Sequence, residues 1–203
     1  DGNGPRFMQD LTLVDGEGEG IGTLLIDAPG ENTLKKNADH FVKRGVIERM
    51  CRVCAATALY SLQTNAPAGG RGHLTSLRGG GPLTTLVLGP TIWHTVWLNI
   101  LPKHKFLSVS GNPEKTAEAD VFPWLAATHT SEGKAGRTTT PLDMHPLHVF
   151  WGMPRRIRLD FEKTGCGRCD VCGTDSDFLV SRYKAKTYGM KYEGAWQHPL
   201  TPY

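Results

Sequence analysis

The chain has 203 residues, enough for one domain with a real core, yet only 39% of them are hydrophobic. Its 24 glycines and 13 prolines imply turns and loops around a modest core, and no apolar run of about 18 residues is present to cross a membrane as a helix. A net charge of +3 excludes a general polycation. The charge is instead local, with Lys35, Lys36, Lys43, Arg44, Arg49 and Arg52 in one stretch and Arg182, Lys184, Lys186 and Lys191 in another that holds no acid.

The opening Asp1-Gly2-Asn3-Gly4-Pro5 is polar, with neither signal peptide nor initiator Met, and reads as the start of a fragment. Arg6 to Val14 reads as a strand that turns at Asp15-Gly16. The glycines of Gly16 to Gly22 are mis-spaced for a nucleotide fingerprint and interleaved with glutamates that repel phosphate, so a flexible loop is expected there. Thr23 to Ala28 is a short apolar run, and Asn32 to Val42 is helix or ordered loop. Cys54 to Leu62 has helical spacing and propensity, with Pro67 as its stop. Pro82 to Leu88 reads as a strand. Thr91 to Leu101 is apolar on most sides and reads as a buried helix ended by Pro102, its tryptophans in the core. Ser108 to Pro146 should be long loops around an apolar island at Val121 to Leu125. Arg155 to Phe161 alternates as a half-buried strand does, and Phe178 to Tyr192 reads as a twisted hairpin turning near Gly189. The expected fold is a loop-rich α+β domain with short sheets, two or three helices and a cysteine clip, and it is incomplete.

The five cysteines fall into two groups, Cys51/Cys54 and Cys166/Cys169/Cys172. Two C-x-x-C knuckles supply four thiolates, which close a tetrahedral zinc site with no open position, so the expected role is structural. Cys169/Cys172 is the favoured second pair because Gly173 follows it and suits the tight turn; Cys166/Cys169 is the alternative. A zinc deaminase needs His-x-Glu upstream of Pro-Cys-x-x-Cys, and neither is present. His145 and His148 have no partner glutamate, and Asp170 and Asp175 do not make a paired-carboxylate site, so an enzyme is not expected. Between the knuckles, Ala66 to Thr85 holds two glycine loops that each carry an arginine. Such loops let a backbone come close to a large anion.

Read in order, several blocks together resemble the CasA family, the large subunit of the type I-E Cascade, an RNA-guided CRISPR surveillance complex. They are Phe7-Met8-Gln9, Asn37 to Val42 leading to Cys51-x-x-Cys54, Ala66 to Thr85 with Leu77-Arg78-Gly79-Gly80, Trp97-Leu98-Asn99, Phe150 to Ile157, the second knuckle, and Trp196-x-His198-Pro199. The resemblance places residues 1–203 in the central part of the large domain, with knuckles at 51–54 and 166–172. It implies a non-catalytic, DNA-binding subunit in the prokaryotic cytoplasm. That subunit reads the protospacer-adjacent motif in duplex DNA, largely through the minor groove, for antiviral defence. The partners implied are duplex DNA, crRNA-bound Cascade subunits and a helicase-nuclease recruited on target binding. The alternative is a structural zinc-binding protein-interaction module, with a metal-dependent hydrolase a more distant third.

Carried over by position, the family's glycine loop falls on Ala68, Gly69, Gly70, Arg71 and Gly72. Ala68 and Arg71 depart from the all-glycine pattern. The loop before the first knuckle falls on Phe41 to Arg49, with Phe41 as a subunit or crRNA contact and Lys43 and Arg44 as nucleic-acid contacts. The lysine finger falls on Lys186, with Lys184 in reserve. Arg78 is either a DNA contact or a structural arginine that binds loop carbonyls. The family's glutamine wedge falls beyond Tyr203, so residues 1–203 are expected to sense DNA without opening it alone.

Overall fold

The computed structural model describes residues 4–13, 15, 18–42 and 44–201, and at 162–165 it describes the backbone alone. Along the chain the strands are β1 (Gly18–Gly20), β2 (Met50–Cys51), β3 (Thr138–Thr139), β4 (Arg156–Arg168), β5 (Asp175–Lys186) and β6 (Lys191–Tyr192). The α-helices are α1 (Glu31–Lys35), α2 (Arg52–Thr64), α3 (Ile92–Leu98), α4 (Lys103–Val109) and α5 (Glu118–Val121), joined by four short 3-10 turns.

The frame is the long antiparallel hairpin of β4 and β5, registered from Arg156 opposite Lys186 to Arg168 opposite Asp175. The other edge of β5 takes β2 at Leu179–Val180 and β1 at Arg182–Lys184, both antiparallel. Alternation governs the strand past Ser181, where Tyr183 turns into the core beside Leu159 while Arg182, Lys184 and Lys186 alternate on the other face; before it Leu179 and Val180 are both buried. A register shift between Asp160 and Phe161 leaves Ser181 without an opposite residue. Helix α2 lies over this sheet through Ala55, Ala58 and Leu59, spaced for one helical face.

The N-terminal Phe7-Met8-Gln9-Asp10 stretch is fixed along β4. The Asp10 amide donates to the Ile157 carbonyl at 2.9 Å, the Gln9 Oε1 accepts from the Leu159 amide at 2.9 Å, and Arg156 Nε donates to the buried Asp10 carboxylate at 2.7 Å. Phe7 meanwhile packs its ring edge-on to Trp124 and Trp151.

Several expectations are corrected. The described residues form five α-helices, not two or three. The additional ones are short; α1, α4 and α5 have only five, seven and four residues, too few turns for an apolar stripe to register in sequence. Gly18–Gly20 is strand rather than loop, because the edge of β5 is available to it. Residues 6–13 make turns rather than a strand (Val14 lies outside the described residues), and residues 82–88 are irregular, with the Thr85 amide bonded to the Leu200 carbonyl. After β5 the chain does not fold back on it: β6 pairs in parallel with β3. The expected buried helix exists as α3 but is exposed, with Trp93 66% and Trp97 56% accessible and stacked edge-to-face on each other. Periodicity could not separate burial from a surface helix here, since apolar residues occur on every face.

Candidate nucleic-acid interface and metal clip

Two sites lie at opposite ends of the same frame. The first is the cysteine clip. Cys51 ends β2 and caps α2, its Sγ accepting from the Cys54 amide at 3.5 Å. The Cys51 amide donates to Cys169 Sγ at 3.2 Å, and the Cys51 and Cys172 sulfurs stand 3.9 Å apart. The sulfurs of Cys51, Cys54, Cys169 and Cys172 all lie within 4.8 Å of one another, a closed four-thiolate set fit for one tetrahedral metal ion. Cys166 is exposed and outside this set, so the Cys169/Cys172 pairing is the one the fold assembles.

The turn that makes it depends on Gly173, at φ +72°, whose amide donates to the Cys169 carbonyl at 2.9 Å. Hydrogen bonds from the side chain and backbone of Thr174 draw the Cys172 thiol down to about 6. Burial works against ionisation at Cys169, but the amides of Cys172, Cys51 and Val171 outweigh it and lower its pKa. Burial, aided by the neighbouring thiols, pushes Cys54 up. The Cys172 sulfur is thus poised as a thiolate, the form a cation requires, and Cys169 is shifted in the same direction. Asp170 ties the knuckle to the preceding loop: its Oδ2 accepts from the amides of Glu48 and Arg49 at 2.9 and 2.7 Å, and these bonds lower its pKa.

The second site is where the glycine loop meets the end of β5. Gly72 is at φ +79°, and its carbonyl accepts from the Tyr188 amide at 2.9 Å. A Cβ at Gly72 would stand 2.7 Å from Thr187 Cβ and 3.0 Å from two atoms of the Tyr188 ring. Arg71 Nε donates to the Tyr188 hydroxyl at 3.1 Å. At the loop's other end Arg155 donates through Nη2 to the Pro67 carbonyl at 2.7 Å. Arg155 is itself fixed by Gln63, near the end of α2: Oε1 accepts from the Arg155 amide at 3.0 Å and Nε2 donates to the Arg155 carbonyl at 2.8 Å. A Cβ at Gly69 would strike His73 Cβ at 2.5 Å, whereas one at Gly70 would find nothing nearer than 4.0 Å. Residues 67–71 are exposed, as is Lys186, and Lys184 is half-buried.

The structure thus brings Ala68–Gly72 together with the β5 end that carries Lys184 and Lys186, although more than a hundred residues separate them in sequence. The Arg78 loop abuts that group, since a Cβ at Gly80 would stand 3.1 Å from the Ala68 amide nitrogen, but the Arg78 and Arg44 guanidiniums are bonded to other partners. Arg78 donates to the Leu83 carbonyl at 2.6 Å and to the hydroxyls of Thr84 and Thr201, both at 3.1 Å. Arg44 binds both carboxylate oxygens of Asp39, each at 2.5 Å, and closes the loop around residues 34–44. Lys43 lies outside the described residues. Phe41 is fully exposed beside an apolar cavity of about 850 Å³ lined by Ile21, Leu25, Leu34, Val46 and Ile47 among others. The sequence reading missed Tyr188, Arg155 and Gln63, which hold the loop. Tyr188 left a trace as the residue before the expected turn at Gly189, and Arg155 as the first residue of an expected strand; Gln63 left none.

Among the described residues no helix is long and apolar enough to cross a membrane. The family model described as CRISPR-associated protein Cse1 matches residues 1–203, so the chain belongs to that family, the non-enzymatic CasA subunits of the type I-E Cascade surveillance complex.

Proposed function

We propose that the chain reads the protospacer-adjacent motif of duplex DNA, largely through the minor groove, while the guide RNA reads the target by base pairing. The observation that carries this reading is the docking of the glycine loop on Tyr188, beside the basic end of β5. Gly69 and Gly72 are demanded by the fold, because a side chain there meets protein. Gly70 is not: its missing side chain leaves open space on an exposed loop, which suits a backbone that must approach base edges in a narrow groove. Arg71 and Lys186 supply cations at the same surface, with Lys184 on the same face of β5, and such charges grip phosphate or enter the minor groove.

On this reading zinc is held by Cys51, Cys54, Cys169 and Cys172 and supplies a cross-link, with no chemistry at the DNA. Arg78 and Arg44 serve as loop braces in view of their partners, and Phe41 contacts a crRNA-bound Cascade subunit. The helicase-nuclease is recruited after the motif is bound. A second reading, a structural zinc-binding interaction module, is favoured by the exposed apolar side chains of Leu83, Leu88, Ile92 and Trp93. The deciding experiment is a gel shift of short duplexes with randomised flanking trinucleotides against a guide-loaded complex containing this chain, with and without Gly70→Asp. Flank-selective binding that the variant abolishes supports the motif reader. Flank-independent binding untouched by the variant leaves the interaction module.

A further inference from the structure

We infer that Tyr188 is a specificity-determining positioning residue, one that aims the Arg71 guanidinium at the DNA and so sets how well the flanking motif is discriminated. The inference rests on the motif-reading proposal above and adds a residue to it.

Three observations converge on Tyr188. Its backbone is left-handed, at φ +61°, a conformation that bulky side chains rarely adopt and that glycine or asparagine adopts with little strain. The strained conformer is held from both sides: the Tyr188 amide donates to the Gly72 carbonyl at 2.9 Å, and the Tyr188 carbonyl accepts from the Ser131 amide at 3.2 Å. The side chain this conformer projects makes one specific polar contact, its hydroxyl accepting from Arg71 Nε at 3.1 Å.

The choice of nitrogen matters. A guanidinium held through Nε keeps its two Nη groups as a planar fork, the geometry that binds phosphate or base-edge acceptors in a defined orientation. An exposed arginine without such a hold samples many rotamers and contributes charge with little direction. The tyrosine therefore affects where the charge points and leaves its amount unchanged. Loss of the hydroxyl should relax motif selectivity while leaving general, phosphate-driven affinity in place. The Tyr188 ring lies against the Gly72 backbone, so Tyr188→Phe retains that packing and the same backbone preference and removes only the hydrogen bond.

The test uses the guide-loaded complex containing this chain and duplexes with randomised flanking trinucleotides. Two quantities are read: the ratio of best to average flank affinity, and the slope of affinity against salt. For Tyr188→Phe the selectivity ratio should fall by about 3- to 10-fold, the range expected for one lost hydrogen bond at a solvent-exposed position, with the salt slope unchanged. Arg71→Lys, which keeps the charge but lacks the Nε donor, should give the same pattern and guards against a Phe variant that fails to enter the complex. Tyr188→Phe combined with Arg71→Ala should be no worse than Arg71→Ala alone, since the tyrosine acts through the arginine. Additive losses, or wild-type selectivity in both Tyr188→Phe and Arg71→Lys, would overturn the inference. If selectivity in those variants is intact while Gly70→Asp abolishes it, the motif reader stands and only the role of Tyr188 falls. If Gly70→Asp also leaves selectivity intact, the underlying reading fails with it.

Discussion

Gly72→Ala should detach the glycine loop from the end of β5 without unfolding the domain. Two penalties act at once in the docked state. A residue with a Cβ at φ +79° is strained by roughly 1–2 kcal/mol. The new methyl must also fit 2.7 Å from Thr187 Cβ and 3.0 Å from the Tyr188 ring, an overpacking that costs about 1–3 kcal/mol. The docked variant is therefore worse by roughly 2–5 kcal/mol. Undocking instead gives up the Gly72–Tyr188 and Arg71–Tyr188 hydrogen bonds, each worth on the order of 1 kcal/mol net. Undocking is the cheaper route, so the global loss should be capped at roughly 2–3 kcal/mol. Denaturant unfolding measures the cap, and limited trypsinolysis after Arg71 reports the released loop. Gly70→Ala is the control: its backbone is not left-handed and its Cβ meets nothing closer than 4.0 Å, so it should unfold within about 0.5 kcal/mol of wild type and resist the nick. A Gly72→Ala protein as stable and as trypsin-resistant as Gly70→Ala would refute the docking argument.

Asp10→Asn should destabilise the fold by about 3–5 kcal/mol in denaturant titrations, because it leaves the Arg156 guanidinium buried without its carboxylate. Burial alone would raise the Asp10 pKa, but Thr12 and Arg156 outweigh it and hold it below its ordinary 3.8. Its stabilisation is therefore present above that value and should be lost as pH falls through the lower folded one, which acid unfolding of wild type against the variant will show. His148 has the same sign of linkage to acid, from a different cause: burial depresses it from 6.5 to about 4, so the unfolded chain takes up the proton first. Stability should decline as pH falls from 6.5 to 4, by at most roughly 3 kcal/mol from this residue. In His148→Gln that limb of the pH–stability curve should flatten; an unchanged limb would assign it to other groups. Chelation, or Cys51→Ser, should lower the unfolding free energy by several kcal/mol, since metal binding to four thiolates is coupled to folding, and calorimetry with and without added zinc checks it.

What the sequence made legible was chemistry with a short period or a fixed spacing. The two knuckles announced themselves by C-x-x-C, and the preference for Cys172 over Cys166 followed from the turn-forming Gly173. Helix α2 and the start of β4 were visible because each buries one face at its own period. The hidden features depend on contacts across the chain. Nothing local in Arg155 or Tyr188 says that they meet the glycine loop, or in Gln63 that it fixes Arg155, since each acts on groups far away in sequence. For Arg78 the sequence left a DNA contact and a carbonyl-binding brace both open, and for Arg44 it displayed the charge but not the partner; Asp39 and the Leu83 carbonyl are what their guanidiniums meet in the fold. The short helices were hidden for a different reason, having too few turns to show a stripe.

The position of the clip lets a metal held there bear on the loop although it would lie far from it. Cys51 lies opposite Leu179 on β5, while Gly72 meets Tyr188 just past the end of the same strand. From Leu179 to Lys186 β5 rises roughly 25 Å, so the metal is too far from the loop to touch anything bound there. Helix α2 covers nearly the same distance beside it, its 13 residues rising about 20 Å from Cys51 at its N-cap to Gln63 and the Arg155 brace. The clip thus joins one end of two parallel struts, and the loop is suspended between their other ends. With the clip closed, the offset between α2 and β5 is fixed and so is the seat of Gly72 on Tyr188. With it open, the offset rests on the short β2–β5 pairing, the packing of Ala55, Ala58 and Leu59, and the Gln63 hydrogen bonds to the Arg155 backbone. Loss of metal should therefore blur loop placement before it unfolds the core.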